Sequence, residues 1–148
     1  MSSLRMTEEH AASEADQAVV LEGLRSFNLR FMPPSEMEPL VLLLRDGSGA
    51  IRGGLLAATR WHWLLVHQLW VAEEERGRGR GRALLKRAEE IARGRGCRRA
   101  SLDTAEFQAR GFYERAGYRL FGELDDYPPG SRTLYMQKAL AADPGSGA

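Results

Sequence analysis

Cysteine, histidine and lysine are all scarce in this chain: one cysteine, Cys97; three histidines, at positions 10, 62 and 67; two lysines against nineteen arginines. A lone thiol cannot close an internal disulfide, which excludes a stapled secreted scaffold. His62 and His67 are five positions apart, on opposite faces of an extended segment, and no other ligand cluster accompanies them, so no metal site is expected. Long apolar runs are missing too. The longest, residues 61–72, is broken by His62, His67 and Gln68 and falls short of the ~18 residues a membrane helix needs. The first ten residues contain no apolar stretch, so no secretory signal is read there; a cytoplasmic location without a membrane partner is expected.

What is present is an ordinary globular composition. The 148 residues are 43% hydrophobic and 28% charged, a length that suits one domain with a core needing no staples. Net charge is +1 but unevenly spread: from Arg76 to Arg99, nine arginines and Lys86 stand against Glu89 and Glu90, a local excess of +8, whereas residues 123–126 hold three acids and no base. A short cationic stretch in a near-neutral chain suits a compact anionic ligand better than a nucleic acid, which favours a broader basic face.

Ser13 with Asp16 three residues on reads as a helix start. Val20, Leu24, Phe27 and Phe31 continue it at helical spacing up to Pro33-Pro34. Strands come next at about 40–45, 51–60 and 63–71, the first two joined by the turn Asp46-Gly-Ser-Gly49. Leu84, Leu85, Ala88, Ile91 and Ala92 mark an amphipathic helix stopped near Gly94–Gly96. A strand at 98–104, a helix at about 107–116 ending before Gly117, and strands at 118–124 and 132–138 complete the order. One mixed α/β domain over residues 13–140 is expected, with tails 1–12 and 141–148 flexible by composition.

The most informative segment is residues 69–85, where an apolar strand runs through a glycine-rich loop directly into a helix. Gly77, Gly79 and Gly81 let a ligand approach the backbone. The first helical amides lack intrahelical acceptors and sit at the positive end of the helix dipole, which makes a phosphate or diphosphate site. Arg76, Arg78, Arg80 and Arg82 add compensating charge. The residue three beyond Gly81 is Leu84, so the dinucleotide fingerprint fails; the Gly-Lys-Ser/Thr of a P-loop is missing as well.

What the loop matches is Arg/Gln-x-x-Gly-x-Gly/Ala, as Arg76-Gly-Arg-Gly79-Arg-Gly81, and in this it resembles the GNAT superfamily of acetyl-CoA-dependent N-acetyltransferases. A second block, residues 102–118, is similar to the family's closing stretch: Ala109, Tyr113 and Gly117 fall on pattern, Tyr118 replaces Phe, and Glu106 stands where Asn is usual. The likeness covers about residues 13–140. It implies an α/β fold with a mixed, mostly antiparallel central sheet, one parallel β-α-β unit and helices on both faces. It implies acetyl-CoA as donor and CoA as product. Main-chain groups of Leu69, Trp70 and Val71 would meet the acetyl and pantetheine portions, and the loop of Arg76, Gly77, Arg78, Gly79, Arg80, Gly81 and Arg82 would meet the diphosphate.

Acetyl transfer to an amine needs a held, polarised thioester, a neutral amine and a proton for the departing thiolate. Tyr113 is the candidate general acid, its phenol being protonated at neutral pH. The general base stays open among His67, Asp103, Glu106 and a water-mediated route; Leu65 occupies the strand position where a glutamate serves in one common family arrangement. His67 is placed on the face of Leu69 and Val71 by period-two alternation. The acceptor is expected to be the primary amine of a small molecule. Trp61, Trp63, Trp70 and Tyr127 could line its site and Glu123, Asp125 and Asp126 attract it, although core packing is the preferred role for most of the tryptophans. A non-catalytic acyl-CoA-binding sensor is the alternative, and a homodimer is left open.

Overall fold

A computed structural model describes residues 3–140; the expected tail at 141–148 lies outside them. The chain divides into two compact units at Ser35/Glu36.

The first unit holds α1 (Glu14–Asn28). Ser13 Oγ accepts from the Asp16 amide at 3.1 Å, the predicted cap. The helix stops at Asn28, short of Pro33-Pro34. The Arg30 and Phe31 amides bond three residues back, to Phe27 and Asn28, tightening the last turn before the prolines can act.

The second unit is a six-stranded sheet in the order β1-β2-β3-β4-β6-β5. Its strands are β1 (Glu38–Arg45), β2 (Ile51–Arg60), β3 (Trp63–Val71), β4 (Arg99–Ala105), β5 (Arg119–Asp125) and β6 (Arg132–Ala139). Every neighbouring pair is antiparallel except β3 and β4, which are joined through α2 (Arg80–Gly94). This is the expected mixed sheet with one parallel β-α-β unit.

Leu84, Leu85, Ala88 and Ala92 form the buried stripe of α2, packed with Leu55, Leu64 and Met136 of the sheet. A second helix of this unit, α3 (Arg110–Arg115), adds Tyr113 to the same core. It starts later than its apolar pattern suggests. The Gln108 carboxamide oxygen accepts from Thr104 Oγ1 at 2.9 Å and from the Ala105 amide at 3.0 Å, holding residues 106–109 as a turn.

Two irregularities in β3 open the sheet at one end. The β2–β3 register slips between Leu56 and Ala57: Leu56 pairs with Gln68 but Ala57 with Val66, so His67 is an inserted bulge residue. Parallel pairing with β4 runs only from Trp63↔Arg99 to Val66↔Leu102. From the bulge onward the two strands have no mutual pairing, and a cleft opens at their carboxyl ends.

Candidate functional site

The cleft at the carboxyl ends of β3 and β4 is where a β-α-β unit accommodates a ligand. A cavity of about 500 Å³ occupies it, lined by Leu69 and Val71 of β3, the loop residues Arg76, Gly77, Gly79 and Arg80, Gly81 and Arg82 of α2, and Phe112 and Tyr113 of α3. The predicted residues Trp70 and Arg78 do not line it.

Gly79 precedes α2 with φ +76°, and Gly77 has the same value. In this left-handed region a β-carbon is strained, so glycine suits both positions. Gly79 also has no side chain to cap the helix. Among the described residues, none of the six amides from residue 77 to residue 82 donates to a protein acceptor; the first to do so is Ala83, to Gly79 O at 3.0 Å. Six free donors at a helix start, amid arginines, form an anion cradle. They fit the diphosphate of a CoA thioester.

The arginines divide their work. Arg76 Nε donates to the Val71 carbonyl at 3.0 Å, tying the loop back to the end of β3. Arg80 Nε lies 3.0 Å and Arg78 Nη1 3.6 Å from the Glu75 carboxylate. Glu75 also lines the cavity, and nothing in the sequence pattern had marked it. Arg82 has no carboxylate partner among the described residues.

Tyr113 is buried, 7% exposed, with Phe112 edge-on at 5.1 Å between ring centroids and Tyr118 at 6.0 Å. Burial raises its pKa above the ordinary phenol value, and the negative charge of Asp103 adds to this. The group therefore holds its proton throughout the neutral range. Tyr113 and the end of β3 share one cavity, as the two sequence blocks require.

The base candidates fare differently. His67 is the exposed bulge residue, so its expected place on the face of Leu69 and Val71 is corrected: the inserted residue breaks the alternation. Leu69 and Val71 instead share the core side with Leu64 and Val66, all four packing with the same cluster. Glu106 is held by Arg132 at 3.1 and 3.2 Å, and the same guanidinium takes Glu123 at 3.0 Å. Asp103 is exposed on β4 and has no ion-pair partner among the described residues. The tryptophans are not core. Trp61 and Trp70 are exposed and Trp63 half-buried, with the Arg60 guanidinium 3.9 Å from the Trp61 ring centroid. Among the described residues no three His, Cys, Asp or Glu side chains gather as metal ligands, and no helix is long and apolar enough to cross a membrane.

Behind Tyr113 lies a buried polar cluster that the sequence does not announce. Glu89 of α2 is 5% exposed, yet it accepts from the Tyr118 hydroxyl at 2.8 Å and from Lys138 Nζ of β6 at 2.8 Å. Both carboxylate oxygens are satisfied and the charge is paired, as burial demands. Burial together with the neighbouring carboxylate drives the Tyr118 pKa strongly upward.

A glycine-rich helix start with unbonded amides, a splayed parallel pair and a buried phenol thus meet at one cavity. The chain belongs to the GNAT acetyltransferase family: that family's model matches residues 5–118. It is 41% identical over 116 residues to blasticidin-S acetyltransferase of Streptomyces morookaense, covering 76% of this chain and 85% of the relative. It is 35% identical over 128 residues to an acetyltransferase of Agrobacterium fabrum, covering 86% and 93%. A solved acetyltransferase from Bacillus cereus superposes with a TM-score of 0.83 at 29% identity, over 90% of this chain and 98% of that one. The protein is an acetyl-transferring enzyme.

Proposed function

We propose that residues 13–140 act as one domain that moves an acetyl group from acetyl-CoA to the primary amine of a small molecule. The family match crosses the boundary between the two units, and one relative is named for acetylating the antibiotic blasticidin S. The observation that carries the reading is the row of unbonded amides from residue 77 to residue 82, all but that of Arg78 belonging to residues that line the cavity holding Tyr113.

Acetyl-CoA supplies an activated acyl group when bound. The amides of the loop and the charge of Arg82 hold its diphosphate, and the main chain of Leu69–Val71 receives its pantetheine arm at the unpaired margin of β3. The amine attacks the acetyl carbon; a C–N bond forms, the C–S bond breaks, and the surplus amine proton leaves through water. Tyr113 gives its proton to the departing thiolate, is reprotonated from solvent, and CoA leaves as product.

Incubation with acetyl-CoA and a panel of primary amines, read as thiol release, tests this. Turnover on small-molecule amines is expected. Cofactor binding without turnover on any amine would replace the enzyme reading with the sensor; absence of binding would remove both.

A further inference from the structure

Asp103 stands one residue past Leu102, the last position at which β4 pairs with β3. The register would next set His67 beside it, but His67 is the bulge residue, so this flank of Asp103 is open. Along β4, Ala100, Leu102 and Thr104 are buried while Arg99 and Asp103 are exposed. Ala100 and Leu102 pack in the core with Tyr113, so alternation turns the Asp103 carboxylate to the other face of the sheet. Its charge is nonetheless felt at the Tyr113 phenol, whose pKa it helps to raise. The two groups lie on opposite faces, within electrostatic reach of each other, at the margin where the sheet opens.

Aromatic surface borders this carboxylate. Asp103 pairs directly with Tyr135 of β6, which sets the two side chains next to each other on one face. Tyr135 has Phe121 of β5 against it, ring centroids 6.3 Å apart, and Phe121 is exposed. Asp103 has no ion-pair partner among the described residues. Glu106, just past β4, and Glu123 of β5 are both held by Arg132. Of these three acids Asp103 alone is uncompensated.

A carboxylate with aromatic rings beside it suits an organic cation. Which cation follows from the chemistry of transfer. An alkylamine at neutral pH is an ammonium ion, its pKa about 10.4. A carboxylate holding the reacting nitrogen would favour that protonated form, which has no lone pair to attack a thioester. The charge that Asp103 can hold without opposing the reaction is a second one. Given acetyl transfer to a small-molecule amine, on which this step rests, we infer that Asp103 is a specificity-determining residue. It anchors a second cationic group of the acceptor, ammonium or guanidinium, beside Tyr135 and Phe121, and so selects amines with two positive charges over those with one.

The test is steady-state kinetics of the full chain at saturating acetyl-CoA with matched pairs of amines: a straight-chain diamine or amino-guanidine beside the monoamine of equal length. The wild type should use the dicationic member with a kcat/KM about tenfold or more higher. The difference should reside in KM and narrow as salt rises. Asp103→Asn should erase the preference while calorimetric affinity for acetyl-CoA stays near wild type. Asp103→Glu, which keeps the charge, should retain it. Equal kcat/KM within the pairs in the wild type, or a preference that survives in Asp103→Asn, would overturn the proposal. So would a uniform loss on every amine in that variant, the result a general base would give. Acetyl-CoA bound but transferred to no amine would instead overturn the acetyl-transfer reading beneath it, and the proposal with it.

Discussion

Tyr113 and Tyr118 meet edge-on, their ring centroids 6.0 Å apart, but have different chemistry. Tyr113 opens on the cavity, whereas Tyr118 spends its hydroxyl on Glu89. Tyr113→Phe should lower kcat by about a hundredfold or more, the usual scale of general-acid assistance, and leave cofactor affinity nearly unchanged; steady-state kinetics beside calorimetry separates the two. Tyr118→Phe should act on stability instead. It leaves a buried carboxylate with Lys138 alone, a loss of about 1–3 kcal/mol readable by urea unfolding. Both phenols have folded pKa values above the unfolded value near 10. The unfolded chain therefore sheds these protons first. Their contribution is complete below pH 10 and falls above it, by about 1.4 kcal/mol per pH unit for each proton still held by the folded state. Unfolding followed between pH 9 and 11 should show this decline, and Tyr118→Phe should flatten it. Tyr113 was legible because its surroundings repeat a family pattern. The Glu89–Tyr118–Lys138 cluster was not, since its members come from three elements and no local spacing unites them.

At the scale of elements, the loop before α2 carries most of the proposed cofactor binding. Its glycines and arginines could be read directly, because unbonded amides at a helix start follow from helix geometry alone. Gly79→Ala places a β-carbon at φ +76° with open space around it, so the penalty is backbone strain of roughly 1–2 kcal/mol. Relaxation of the loop to relieve that strain should disperse the amides and weaken CoA binding, while circular dichroism of the sheet stays near wild type. The bulge at His67 was out of reach of sequence patterning. Residues 63–71 alternate well enough for an unbroken strand, and only the pairing with Leu56 and Ala57 shows the extra residue. The late start of α3 has a similar origin, in a Gln108 side chain that bonds to the end of β4 rather than to its own helix.

For the molecule as a whole, the single parallel pair follows from the one βαβ connection, β3–α2–β4. That much was implied by the order of elements. Where the parallel pairing stops was not, and this decides where the cavity lies. Because β3 and β4 part after Val66 and Leu102, the glycine-rich loop, Leu69, Val71 and Tyr113 face one space. Titration of unlabelled CoA into isotopically labelled protein, followed through backbone amide resonances, tests this convergence most directly. Saturable shifts concentrated at residues 77–82 and Leu69–Val71, with smaller ones around Tyr113, are the predicted result. Saturable shifts centred elsewhere on the sheet, with residues 77–82 unmoved, would contradict it.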